Sequence, residues 1–178
     1  MNRVLLYSGW SVFVALVLLS FGCGSGSTNS GPFGPVISTP KTYSSLVFTT
    51  SVPQGSYTRG VVIPITFTVA NIGTQPANLQ IGTCNDFVID ISKGGQLVWS
   101  GPSGGCGGVI RSVVIAPGAT MTYNVNWHQV DQQENAVPTG TYTVVARLTP
   151  STLNGNDVRA PQGTANFTGN PISVSIAP

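Results

Sequence analysis

Apolar and polar residues alternate with a period of two through most of this chain. That is the spacing of strands with one face in a core and the other in water. In VVIPITFTVAN, Ile63, Ile65, Phe67 and Val69 share one face, and Pro64, Thr66 and Thr68 the other. Pro64 has no N–H to donate, so this strand must be an edge or bulged on one side there. DFVIDI groups Phe87, Ile89 and Ile91; KGGQ (residues 93–96) then makes a tight turn, and QLVWS places Leu97 and Trp99 on one face. VIRSVVI is a further strand, closed by the turn APGA. TMTYNVNW sets Met121, Tyr123, Val125 and Trp127 against a Thr/Asn face, and GTYTVVARL does the same with Tyr142, Val144, Ala146 and Leu148. NPISVSIAP ends the chain with Ile172, Val174 and Ile176, and SSLVFTTSV is the first strand. Residues 149–163 lack alternation and read as a long connection with one short irregular strand. Trp99 and Trp127, each closing an inward-facing run, are expected in the core.

About seven to nine short alternating strands, with turn signals about every ten residues, predict an all-β fold: an immunoglobulin-like antiparallel β-sandwich. Tyr142, just after Gly140 at the start of a late strand, has the position of the corner tyrosine of such sandwiches. The sandwich is assigned to residues 41–178, and two sheets of these lengths can enclose a continuous core.

The first 22 residues obey another rule. Arg3 is the only charge before a dense apolar run from Trp10 to Phe21. A positive start, an apolar middle and small residues after it make a secretory signal or anchor helix, and either one exports the remainder of the chain. LLSFGC resembles the lipobox of bacterial lipoproteins, with Gly22 directly before Cys23, though Ser20 and Phe21 stand where a Leu and a small residue are usual. On this reading Cys23 carries diacylglycerol, residues 23–40 are a flexible Gly/Ser/Pro tether, and the chain is held at the cell envelope by its lipid. An uncleaved helix and plain secretion are the alternatives.

The cysteine count bears on this choice. There are three, and an odd cysteine in an exported chain needs a reason. Cys84 and Cys106 can form a disulfide outside the cytoplasm. The bridge would contribute roughly 3 kcal/mol on the chain-entropy model. Cys23 is then the one left over, and lipidation accounts for it.

Composition narrows the function. Charged residues are only 7% of the chain and the net charge of +2 is scattered, so no basic stripe exists to hold a nucleic acid. Two cysteines and one distant histidine lack zinc spacing, and neither a metal nor a cofactor is expected. Asp86 and Asp90 share a strand face that could begin a calcium site but reads better as a solvated face. His128, the only histidine, has no serine or cysteine in a nucleophile motif to serve, so no catalytic residue is assigned. Asn166 heads an Asn-x-Thr sequon, a chance match in a bacterial lipoprotein.

The span from Ile63 to Leu148 resembles the BsuPI-type intracellular proteinase inhibitor domain. Four pieces carry the likeness in order: FTVANIGTQPANLQI, DFVIDISKGGQLVW, IAPGATMTYNVNW and PTGTYTVVARL. GTCN (residues 82–85) and SGPSGGCGG (residues 100–108) depart from the family, and the family's name member works inside the cell. The resemblance implies the sandwich fold and a protein partner, such as a subtilisin-like protease. No reactive-site motif carries over residue by residue. Loops 100–108 and 128–138 are the candidates for a protruding binding loop; the first is nearly free of side chains, so the polar loop 128–138, with His128, Asp131, Glu134, Asn135, Ala136 and Val137, is preferred. Within it, Asn135 to Val137 precede Pro138 and are expected to be extended. The competing reading is a non-inhibitory, non-enzymatic interaction module at the cell surface.

Overall fold

A computed structural model describes residues 34–82, 86–102, 110–158 and 167–178. The signal segment, Cys23, Cys84, Cys106 and Asn166 lie outside them. Among the described residues there is no helix long and apolar enough to cross a membrane.

The first sheet has the order β1 (Val36–Ile37), β3 (Leu46–Val52), β5 (Ile63–Asn71) and β10 (Thr120–Trp127), with β2 (Lys41–Tyr43) also on β3. The sheet begins at Val36, five residues before the expected start of the sandwich and inside the stretch read as tether. The second sheet runs β4 (Ser56–Thr58), β14 (Ile172–Ala177), β11 (Gly140–Leu148), β7 (Phe87–Lys93) and β8 (Gln96–Gly101). The third runs β13 (Asn156–Asp157), β12 (Pro150–Leu153), β6 (Ala77–Gly82) and β9 (Ile110–Ile115). Pairing is antiparallel throughout, save that β4 lies parallel to β14.

Period two does what it predicts. Ile63, Ile65, Phe67 and Val69 are fully buried, as are Tyr142, Val144, Ala146 and Leu148 opposite. Aromatic pairs bridge the layers: Phe87 of β7 meets Tyr123 of β10 at 4.4 Å, and Trp127 of β10 meets Tyr142 of β11 edge-on at 5.3 Å. Among the described residues every buried apolar side chain lies between Leu46 and Ile176, so residues 35–178 contain the whole of that core. Pro64 behaves as expected: β3 pairs with β5 only as far as Thr66, leaving that side of Pro64 without a ladder.

Two expectations are corrected. Within 149–158, the described part of the expected connection, there are two short strands rather than one: β12 and β13 form a hairpin turned by Asn154 and Gly155, at φ 50° and 80°. Such a pair suits a tight hairpin turn, and the Asn-Gly signal was present without flanking alternation. Leu97 and Trp99 do not share an inward face. The register slips between Ile91–Trp99 and Ser92–Leu97, so Val98 is a bulged extra residue. Leu97 is thereby turned out, 63% exposed, while Trp99 is half-buried with its ring over Gly101.

The first and third sheets are joined at Asn71, which is 1% exposed. Its Nδ2 donates to the Gln75 and Ile115 carbonyls at 2.8 and 2.9 Å, and its Oδ1 accepts from the Gly73 N–H at 3.0 Å. Its own N–H donates to the Ala119 carbonyl, and its carbonyl accepts from Gly118. One amide thus fastens the break where β5 gives way to β6 and β9 to β10.

Candidate functional site

Loop 128–138 begins where β10 reaches the end of the core. Trp127 is fully buried, and its indole N–H donates to the Val130 carbonyl at 2.8 Å, which turns the chain back. Gln129 takes the left-handed conformation, φ 57°, and is 3% exposed. Its Oε1 accepts from the Gly60 N–H at 2.8 Å, and its Nε2 donates to the Thr58 and Val61 carbonyls at 3.0 and 2.7 Å. This clamps the β4–β5 connection, with exposed Val61 and Val62, beside the loop.

The loop is closed on itself. Asp131 Oδ1 accepts from the Gln133 and Asn135 N–H groups, both at 2.9 Å. The Asp131 N–H donates to the Asn135 carbonyl at 2.8 Å, Val130 bridges Ala136, and the Val137 N–H donates to the Gln129 carbonyl at 2.9 Å. The Asn135 N–H above all, helped by the Asn135 amide and the Gln133 N–H, holds the Asp131 carboxyl below its ordinary range against a smaller opposing effect of desolvation. Glu134, at φ 65°, makes the tip.

The closed loop is also docked. The Gln132 N–H donates to the Val98 carbonyl at 3.1 Å, and its Oε1 accepts from the Ser100 N–H at 2.9 Å, occupying the outer side of β8. The hydroxyl of buried Tyr142 donates to the Pro138 carbonyl, the contact expected of a corner tyrosine. Burial raises the Tyr142 pKa, with Arg59 opposing. Lys93 Nζ donates to the Thr139 carbonyl at 2.8 Å and lies 5.1 Å from the centre of the Tyr142 ring. Between loop and β7–β8 turn is a groove of about 480 Å³, lined among others by Lys93, Leu97, Asp131, Gln133, Pro138 and Tyr142.

His128, Glu134, Asn135 and Ala136 are exposed and available to a partner. Asp131 is spent as the internal cap of the loop. Val137 is 3% exposed and faces the core, so its side chain cannot be a contact. The sequence reading missed Gln129, Gln132, Lys93 and Leu97. Only the Gly-Gly turn after Lys93 hinted at a displayed hairpin; two glutamines in a polar loop carry no signal. Elsewhere, Asp86 pairs with Arg111, and Asp90 with Arg147 at 3.1 Å and with the Ser100 hydroxyl at 2.6 Å. Among the described residues no three His, Cys, Asp or Glu side chains gather as a metal site.

A sandwich of this kind, with one tightly closed loop beside a groove, belongs to the class of all-β domains. The family model of the BsuPI intracellular proteinase inhibitor matches residues 50–152, more than half of the chain, and the protein belongs to that family. No curated protein matches the chain. Among solved structures it is similar to a β-glucosidase from Listeria innocua in complex with glucose, with 14% identity and a TM-score of 0.42 over 78% of this chain. It spans only 17% of that enzyme. It is also similar to the CARDB domain of a Pyrococcus furiosus protein, with 10% identity and a TM-score of 0.38 over 81% of this chain and 96% of that one. A Pseudomonas fluorescens alkylpurine DNA glycosylase bound to DNA containing an abasic site analog gives 14% identity and a TM-score of 0.38, over 81% of this chain and 30% of that one.

Proposed function

We propose that this chain is a non-enzymatic proteinase inhibitor domain of the cell envelope, which binds a subtilisin-like serine protease through loop 128–138. The observation that carries the reading is the loop's internal closure at Asp131 together with its docking through Gln129 and Gln132. A loop held in one conformation before binding loses little entropy on binding, and it resists the deformation that cleavage requires. Residues 35–178, oxidised and titrated against subtilisin, are expected to inhibit stoichiometrically and remain intact. Digestion of the domain, or full residual activity, would sink this reading.

One observation favours a second reading, a non-inhibitory interaction module. In Asn135–Val137 the Asn135 N–H and carbonyl and the Val137 N–H are all satisfied within the loop. This segment therefore has few free backbone groups to pair with a protease cleft. Contact would come from the side chains of Glu134, Asn135 and Ala136 and from the groove beside Leu97.

Location belongs to the same proposal. Cys23 is lipidated and anchors the exported domain through the tether, and Cys84 and Cys106 pair. The intact mass of the membrane fraction tests both: a chain starting at unmodified Met1, or two free thiols at 84 and 106, speaks against them.

A further inference from the structure

A strand at the border of a sheet leaves a row of N–H and C=O groups unpaired, and folded proteins keep such rows short or cover them. The borders here are treated unequally. β1 and β13 are two residues long, and β2 and β4 three. On the outer side of β8, Gln132 takes up the Val98 carbonyl and the Ser100 N–H. β10 differs from all of these. It is eight residues long, ends its sheet, and pairs with β5 without a break from Thr120 to Trp127. Among the described residues no strand lies on its other side. It has no charged residue, no proline and no bulge, the devices that usually blunt an edge.

Antiparallel pairing alternates, so every second residue of β10 turns both backbone groups away from β5. The Asn71 N–H donates to the carbonyl of Ala119, directly opposite, so the odd-numbered residues face β5. Thr120, Thr122, Asn124 and Asn126 therefore present their N–H and C=O groups outward. Pro64, which has no N–H, fits this phase: it lies opposite Asn126, at a position that needs no donor towards β10.

We propose that β10 pairs with β10 of a second copy of this chain, antiparallel, about a two-fold axis at Tyr123. Three observations select this occupant. The strand is uncharged, so self-pairing sets no like charges opposite each other, whereas β9, another border strand, carries Arg111. With Tyr123 opposite itself, Thr122 stands opposite Asn124 of the second copy, and Thr120 opposite Asn126. The molecule already makes such a pair across β5 and β10, where the Thr66 hydroxyl donates to Asn124 Oδ1 at 2.9 Å. Lastly, Met121, Tyr123 and Val125 are only half-buried on the inner face, and the same residues of a second copy would extend that apolar cover. The pairing does not depend on the inhibitor reading. It places the two 128–138 loops at opposite ends of the joined sheet, so one dimer presents two binding loops.

Sedimentation velocity on residues 35–178 tests this pairing. The wild type is expected to dimerise at micromolar concentration, and its Thr122 and Asn124 amides to exchange more slowly as concentration rises. A T122K/N124K variant, changed at two exposed positions and checked by circular dichroism for an unaltered fold, should associate about tenfold more weakly or worse. Mixed with T122E/N124E it should recover a heterodimer, as Lys and Glu then face each other. A wild type that stays monomeric to its solubility limit overturns the proposal. So does a dimer that the double lysine variant keeps, and a failure of the two charged variants to combine overturns the Thr122–Asn124 register.

Discussion

Asn71 and Gln129 are both buried side-chain amides, and each makes three hydrogen bonds to backbone groups. Asn71 lies at the end of β5 and ties the first sheet to the third through the buried Ile115 carbonyl, and holds the 72–76 turn through two partly buried groups. Gln129 lies beyond the other end of the same ladder and ties two surface loops together. Removing the first amide strands the Ile115 carbonyl, which water cannot reach; removing the second strands only partly buried groups that water can partly satisfy. The same chemistry therefore sets the stability of the domain at one end and the shape of loop 128–138 at the other.

The largest effect separating the two is expected from Asn71→Ala. It should cost about 3 kcal/mol, read as a lower urea midpoint of the whole domain, because the Ile115 carbonyl loses its donor inside the fold and the 72–76 turn loses its tie. Gln129→Ala should cost less, about 1.5 kcal/mol, and show a different pattern. Amide exchange should rise at Gly60 and through the loop while β5 and β11 stay protected. Equal loss of protection in loop and core would erase the distinction between the two amides.

Tyr142→Phe removes only the hydroxyl bond to the Pro138 carbonyl and should lower stability by about 1 kcal/mol, seen in thermal unfolding, with the sandwich unchanged. The smallest effect concerns Asp131. Its folded pKa is depressed, so its contribution is fully present above the ordinary carboxylate pKa and is lost as pH falls through the lowered folded value. Exchange at the Gln133 and Asn135 amides should accelerate over that acid window, and Asp131→Asn should abolish the pH dependence. A loop equally protected at every pH would show that the carboxylate is not its cap.

The strands with clean alternation were legible in the sequence. Ile63 to Val69 and Tyr142 to Leu148 face inward because a pleated strand turns successive side chains to opposite faces, whatever lies beyond it. The corner role of Tyr142 was legible too, since its partner is only four residues away. The β12–β13 hairpin was hidden because PSTL and ND have no apolar period, although its Asn-Gly turn was in plain sight. Of the site, the loop's place and its exposed Glu134 and Asn135 could be read. Its closure by Asp131, its clamp at Gln129 and the inward turn of Val137 could not.

By itself the sequence determined where apolar faces fall and where the chain must turn, because both arise from the geometry of neighbouring residues. The tertiary structure alone decided which groups meet across long separations. One bulged residue, Val98, overrode the period and moved Leu97 from the core to the groove. Gln129 found acceptors 71 and 68 residues away in the chain. Gln132 took up two groups of one sheet edge, while among the described residues no strand covers the edge at β10. Such pairings depend on how sheets stack and strands register, and a pattern of period two holds no record of either.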